Sequence, residues 1–249
     1  MTRCWRARAR SILWLVTLAS LDIGCAQAQT VPPEASAAAP YGAPVEDQSL
    51  IFHAELDQFE EQLDAGSNDL RWDGEAWVGT DETRLWFKSE GYASAGQTRG
   101  GQDEALYDRP VTTFFDLQAG VRYDLDSFAG RAWGAIGLEG LAPYNLKVSA
   151  TVYASDAGHY AMKITAAYEA LLTQRLILEP QIELNGYTRP DKSMQVASGW
   201  SQLDAGLRLR YEIRRKIAPY LGIVYSRSAP GSGINQELWR VAAGLRVWF

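Results

Sequence analysis

The last twelve residues, Leu238 to Phe249, read LWRVAAGLRVWF and constrain the fold more than any other stretch. Trp239, Val241, Ala243, Leu245, Val247 and Phe249 share one parity and are all apolar. Arg240, Ala242, Gly244, Arg246 and Trp248 form the other, a mixed and partly charged face. Successive side chains of an extended strand point to opposite sides, so this is a strand with two unlike faces. The fold then depends on which solvent each face meets.

Ending such a strand on an aromatic residue resembles the C-terminal signal of bacterial outer-membrane barrels. The apolar parity then faces lipid and the charged parity a wet lumen. The same alternation recurs upstream. Leu70, Trp72, Ala76 and Val78 oppose Arg71, Asp73 and Glu75; Leu203, Ala205, Leu207 and Leu209 oppose Asp204, Arg208 and Arg210. From Ser49 to about Glu60, Leu50, Phe52, Ala54 and Leu56 oppose His53, Glu55 and Asp57. Asp103 to Val111 reads as a weak strand, because Asp108 and Pro110 interrupt it. About twelve strands result, and an even count places both ends of the barrel on one side. The connections at Leu141–Tyr144, Leu172–Gln174 and Arg214–Lys216 fall on the periplasmic side. Those at Ser94–Gln102, Thr188–Trp200 and Arg227–Glu237 fall outside, short turns within and longer loops without. Trp72, Tyr123, Tyr168, Tyr211 and Trp239 sit near strand ends on the lipid parity, where amphipathic rings are most stable. The fold class is therefore all-β: a transmembrane antiparallel β-barrel of about twelve strands in the cell outer membrane.

The first residues agree with export. Arg3, Arg6, Arg8 and Arg10 precede the apolar run Ile12 to Leu21, and Ala26-Gln27-Ala28 offers a cleavage site. Residues 1–28 thus read as a secretory signal peptide. Cys25 does not suit lipidation, since Asp22 stands where a Leu is expected. Both cysteines leave with the leader, and with them any disulfide or thiolate metal site. The whole chain carries a net charge of −6, and losing four Arg and one Asp with the leader makes it more acidic. That argues against nucleic acid and for tolerance of cations. No run of eighteen apolar residues follows the leader, so a membrane protein here must be a closed barrel. Residues 29–48, rich in Pro and Ala, read as a disordered periplasmic arm, and residues 49–249 as the barrel.

Few residues can carry chemistry. His53, His159, Met162 and Met194 are the only imidazoles and thioethers after the leader. His53 belongs near the periplasmic end and His159 to an outer loop, so they do not share a site. Met162 has lipid parity and reads as wall packing. Ser155, Asp156 and His159 are the residue types of a hydrolase, but SDAGH reads first as an ordinary turn. No P-loop, zinc spacing or nucleophile elbow is present, and no catalytic residues are assigned. The lumen parity mixes acids and bases in near balance, which predicts a narrow, partly plugged lumen.

The segments RWDGEAWVG, RLWFKSEG, FFDLQAGVRYD, GLEGLAPY, ALLTQRLILEPQIELN and LDAGLRLRYEIRRKIAPYLGI resemble the CopB/PcoB copper-resistance outer-membrane proteins. The resemblance runs from about Ser49 to Phe249. It implies a twelve-stranded barrel, not an enzyme, that counters copper stress by binding copper ions weakly and exporting or sequestering them. It further implies the lipid bilayer, copper ions and a periplasmic copper oxidase or copper carrier as partners. Family members often carry an N-terminal region rich in Met and His; neither residue occurs here between Thr30 and Asp47. The expected metal contact is therefore a patch at the periplasmic mouth: His53, Glu55, Asp57, Asp73 and Glu75. Imidazole with carboxylates suits Cu(II) better than Cu(I). A general small-solute channel is the alternative function, and an outer-membrane hydrolase a more distant one.

Overall fold

The computed structural model describes residues 49–64, 68–94, 96–125, 130–156, 158–190, 196, 198–214, 216–230 and 237–249. The signal-peptide and arm readings, and Met194, lie outside the described residues. Twelve strands make the wall: β1 (Ile51–Leu63), β2 (Asn68–Gly79), β3 (Arg84–Ser94), β4 (Gln97–Pro110), β5 (Phe115–Asp124), β6 (Arg131–Ala142), β7 (Leu146–Ala154), β8 (Tyr160–Tyr168), β9 (Leu176–Tyr187), β10 (Gly199–Tyr211), β11 (Ile217–Ser228) and β12 (Glu237–Trp248). Ala170–Leu171 keeps the register of β8 against β9 beyond a break at Glu169, and continues that strand.

Each strand pairs antiparallel with the next, and β12 pairs with β1, so the sheet closes on itself. The last residue completes the seam: the Phe249 N–H donates to the Ala54 carbonyl at 2.8 Å, and Ala54 returns the bond at 3.2 Å. Closure leaves no open sheet edge in the hydrocarbon, where an unpaired backbone group costs several kcal/mol. Among the described residues no helix is long and apolar enough to cross a membrane.

Apolar side chains face outward and charged ones inward around most of the wall. Val121, Ile136, Leu207, Leu221, Ile223, Trp239 and Val241 face outward, while Arg122, Glu183, Asp204, Arg208 and Arg246 are buried inside. Ile51 and Trp248 share one rim, and with it the short connections of residues 80–83, 111–114, 143–145, 172–175 and 212–216. The opposite rim carries the longest, residues 188–198 and 229–236.

Two expectations need correction. The stretch read as a weak strand lies in β4, which at 14 residues is the longest in the barrel. Asp108 does not interrupt it; fully buried, it turns inward and accepts a hydrogen bond from Gln118 Nε2 at 3.1 Å. Pro110 is the last residue of the strand, where a missing N–H costs little. The expected outer loop at Ser94–Gln102 is correspondingly absent: β3 ends at Ser94 and β4 begins at Gln97, with Gly96 at φ 74° supplying the left-handed turn.

The second correction concerns β1. Its register shifts between Leu56 and Gln58 against β2, and over the same region against β12, so Asp57 is the extra residue of a β-bulge. Beyond it the faces exchange. Gln58, Glu60 and Gln62 point inward and are at most 2 % exposed, while Phe59 points outward.

Packing requires glycine at several wall positions, Gly91 among them. Gly91 lies opposite Trp72, and a Cβ there would fall 2.4 Å from the indole ring. The ring covers the gap that the glycine leaves on the lipid face.

Candidate functional site

Inside the barrel, part of the lumen is filled by paired charges, which reach Glu60 and Asp124 near the loop-rim ends of their strands. Arg208 on β10 is their anchor. Nε donates to Glu60 Oε2 at 2.8 Å, Nη2 to Glu60 Oε1 at 2.8 Å and to Gln58 Oε1 at 3.1 Å, and Nη1 to Gln181 Oε1 at 2.8 Å. Gln58 Nε2 in turn donates to Gln181 Oε1 at 2.8 Å. These bonds tie β1, β9 and β10 together through the lumen. A buried guanidinium and carboxylate are tolerable only with their hydrogen-bonding capacity used, as here. On the other side, Trp86, Leu106, Trp133, Ala135, Tyr153 and Ala161 form an apolar cluster. Arg122 stands 4.5 Å from the Tyr153 ring centroid and bonds Asp124 at 2.6 Å. The Trp133 indole N–H donates to the same Asp124 carboxylate at 2.7 Å.

The half toward the terminal rim holds a cavity of about 440 Å³, with ten carboxylates and four basic side chains in its wall. Most of the acids have a cation. Arg246 binds Glu55 and lies 2.9 Å from Asp57 Oδ1; Lys88 binds Glu139; Arg84 lies 3.2 Å from Asp116 Oδ2; Arg210 lies 2.8 Å from Glu179 Oε2. Among the described residues, Asp73, Glu75 and Glu104 have no cationic partner within 4 Å. Glu104 instead accepts the Tyr153 hydroxyl at 2.8 Å. The wall therefore presents excess negative charge with oxygen donors, the ligand type that hard and borderline cations prefer.

Four of the five expected metal contacts, Glu55, Asp57, Asp73 and Glu75, stand in this wall. Glu55 and Glu75 are directly opposed across β1 and β2. His53 stands beside them at the rim, its Nε2 3.7 Å from Glu55 Oε2 and its ring 6.0 Å from that of Trp77. The five are neighbours, yet among the described residues no group of three or more His, Cys, Asp or Glu forms a ready-made metal cage. The patch is a loose set of donors. The sequence places Glu90 and Glu139 on the lumen parity, but the acidic wall continues through Glu104 and Asp108, which sequence reasoning missed. The alternation of Gln102, Glu104, Leu106 and Asp108 carried the signal for these two, and Pro110 obscured it.

The remaining candidates lie elsewhere. Met162 is outward-facing in a groove with Ile136, Leu138, Val152 and Ile164. Ser155, Asp156 and His159 build the turn between β7 and β8. The Ser155 hydroxyl bonds Asp156 Oδ1 at 3.0 Å, and the Ser155 N–H donates to the His159 carbonyl at 2.9 Å.

Comparison with known proteins places this architecture. The barrel shares its fold with two porins: NanC, with a TM-score of 0.53, 11 % identity and coverage of 80 % of this chain and 100 % of that one, and KdgM, with 0.51, 13 %, 79 % and 99 %. Copper resistance protein B of Escherichia coli is 37 % identical over 215 residues, spanning 84 % of this chain and 73 % of the relative. A copper resistance protein B homolog of Pseudomonas syringae pv. tomato is 36 % identical over 244 residues, spanning 93 % and 83 %. The family model described as copper resistance protein B precursor (CopB) matches residues 50–249, the whole of the barrel. A closed twelve-stranded wall with a lipid-facing exterior belongs in the outer membrane, with its short turns and both strand termini at the periplasmic rim, and the chain that builds it is a member of the copper resistance protein B family.

Proposed function

We propose that this barrel serves copper resistance by taking copper ions, as Cu(II), weakly into its periplasmic cavity, from which they are sequestered or passed outward. The observation that carries the reading is the cavity wall, where Asp73, Glu75 and Glu104 lack cationic partners among the described residues. Carboxylates with one imidazole, that of His53, at the rim favour Cu(II) over Cu(I). Because the donors are loosely placed, affinity is modest, which suits a site that must release its ion again. Copper is cargo here, and a periplasmic copper oxidase or copper carrier is the partner that would exchange it at the rim.

The test is a Cu(II) titration of the purified full-length protein, followed by electron spin resonance. The double variant Asp73→Asn/Glu75→Gln is expected to bind about tenfold more weakly, a loss of about 1.4 kcal/mol. A strain lacking the protein and complemented by that variant should remain copper-sensitive. Unchanged titration together with full copper protection would overturn the reading. Unselective conductance without copper protection would favour a general small-solute channel.

A further inference from the structure

Four side chains of alternating sign cross the lumen between nearly opposite walls. Arg71 on β2 and Glu90 on β3 face Glu183 on β9 and Lys163 on β8. Arg71 Nη2 lies 3.4 Å from Glu183 Oε2, and Lys163 Nζ meets Glu90 directly. The Arg71 and Lys163 side chains are only 6 % and 13 % exposed, so both cations of the crossing are largely buried. Glu90 and Lys163 also belong to the wall of the periplasmic cavity. The crossing thus borders that cavity.

Lys163 has something the Arg208 web lacks: a second place to go. Its Nζ lies 3.8 Å from Glu183 Oε1, a carboxylate on the neighbouring strand of its own wall. Turning the ammonium from Glu90 to Glu183 would break the tie between β3 and β8 while keeping the charge paired. Glu183 is already steadied by Asn185, which donates to it at 2.7 Å, and Asn185 is the register partner of Lys163. Arg208 offers no such alternative, since its guanidinium is bound to three side chains at once. Once released, Glu90 would keep Gln102 as a donor. It would still be a buried anion needing a cation, and the cavity beside it is lined by further carboxylates.

We infer that Arg71, Glu90, Lys163 and Glu183 are the gate of the barrel and that Lys163 is its latch. The gate is shut while the ammonium bridges to Glu90. It opens on the β3–β8 side when the ammonium turns to Glu183 and a cation from the cavity takes its place at Glu90, the Arg71–Glu183 pair remaining across the lumen. Any small cation can serve, so the gate does not depend on the copper reading.

The experiment is single-channel recording of the full-length protein in planar bilayers in potassium chloride, with no copper present. Lys163→Met should raise conductance about threefold or more over the parent, because the constriction loses its bridging charge. Lys163→Met/Glu90→Gln, which removes both charges of the bridge, should do the same, and it decides the matter if the single variant does not fold. Folding is read from heat-modifiable migration on a gel. Parental conductance in a folded double variant would overturn the gate. A raised conductance with unaltered Cu(II) binding would uphold it while leaving the copper proposal to its own titration.

Discussion

The two halves of the lumen are built from the same kinds of residues and balance them differently. Toward the outer rim, Glu60 is met by two nitrogens of Arg208, and Asp124 by Arg122 and Trp133. Toward the periplasmic rim, Asp73 and Glu75 face a cavity with no cation within 4 Å among the described residues. Fully paired buried charges stiffen a structure, because removing one strands the other. Unpaired carboxylates at a hydrated cavity contribute little to stability and leave charge free to act on an ion. One half of the barrel thus braces the wall, and the other keeps carboxylates without a cation among the described residues.

The largest expected effect would come from breaking the paired half. Arg208→Met leaves Glu60 buried without its cation and should destabilise the barrel by about 3–5 kcal/mol, read from urea unfolding in detergent micelles. A cost below about 1 kcal/mol would show that the web fills space without bracing the wall. Neutralising the unpaired half should act in the opposite direction and more weakly. Asp73→Asn/Glu75→Gln relieves repulsion among the cavity carboxylates and should leave stability unchanged or raise it by about 1 kcal/mol in the same assay. A loss as large as that of Arg208→Met would erase the distinction between the halves. The smallest effect belongs to His53→Ala at the rim. Stability should change by less than about 0.5 kcal/mol, and Cu(II) affinity should fall by about two- to fivefold, less than for the cavity double variant. Equal affinity in parent and variant, by the Cu(II) ligand-field band, would confine any metal binding to the cavity wall.

Much of this was legible in the chain because alternation is a local property. Leu203 to Tyr211 shows its two faces without reference to any other strand, and the outward Leu207 and buried Arg208 keep them. Two local features broke the reading. At Asp57 a single extra residue reverses the faces of β1, and nothing in the run FHAELDQFEEQ announces which residue bulges. At Asp108 and Pro110, residue types that usually end strands sit in one. The carboxylate has Gln118 waiting inside, and the proline comes at the end of the ladder.

By itself the sequence determined the barrel class, its strand number, the sharing of one rim by both strand termini, and the placing of acids in the lumen. A period of two and a terminal aromatic suffice for those. Only the tertiary structure decided which charges neutralise one another. Arg71 and Glu183 are 112 residues apart, and Arg208 and Glu60 are 148 apart. Whether such residues meet depends on how closure staggers and tilts the strands and on the bulge at Asp57 that turns Glu60 inward. The same stagger leaves Asp73 and Glu75 without a cation within 4 Å among the described residues and sets Lys163 between two carboxylates. Alternation tells each side chain which solvent it faces, and closure alone tells it which partner stands across the lumen.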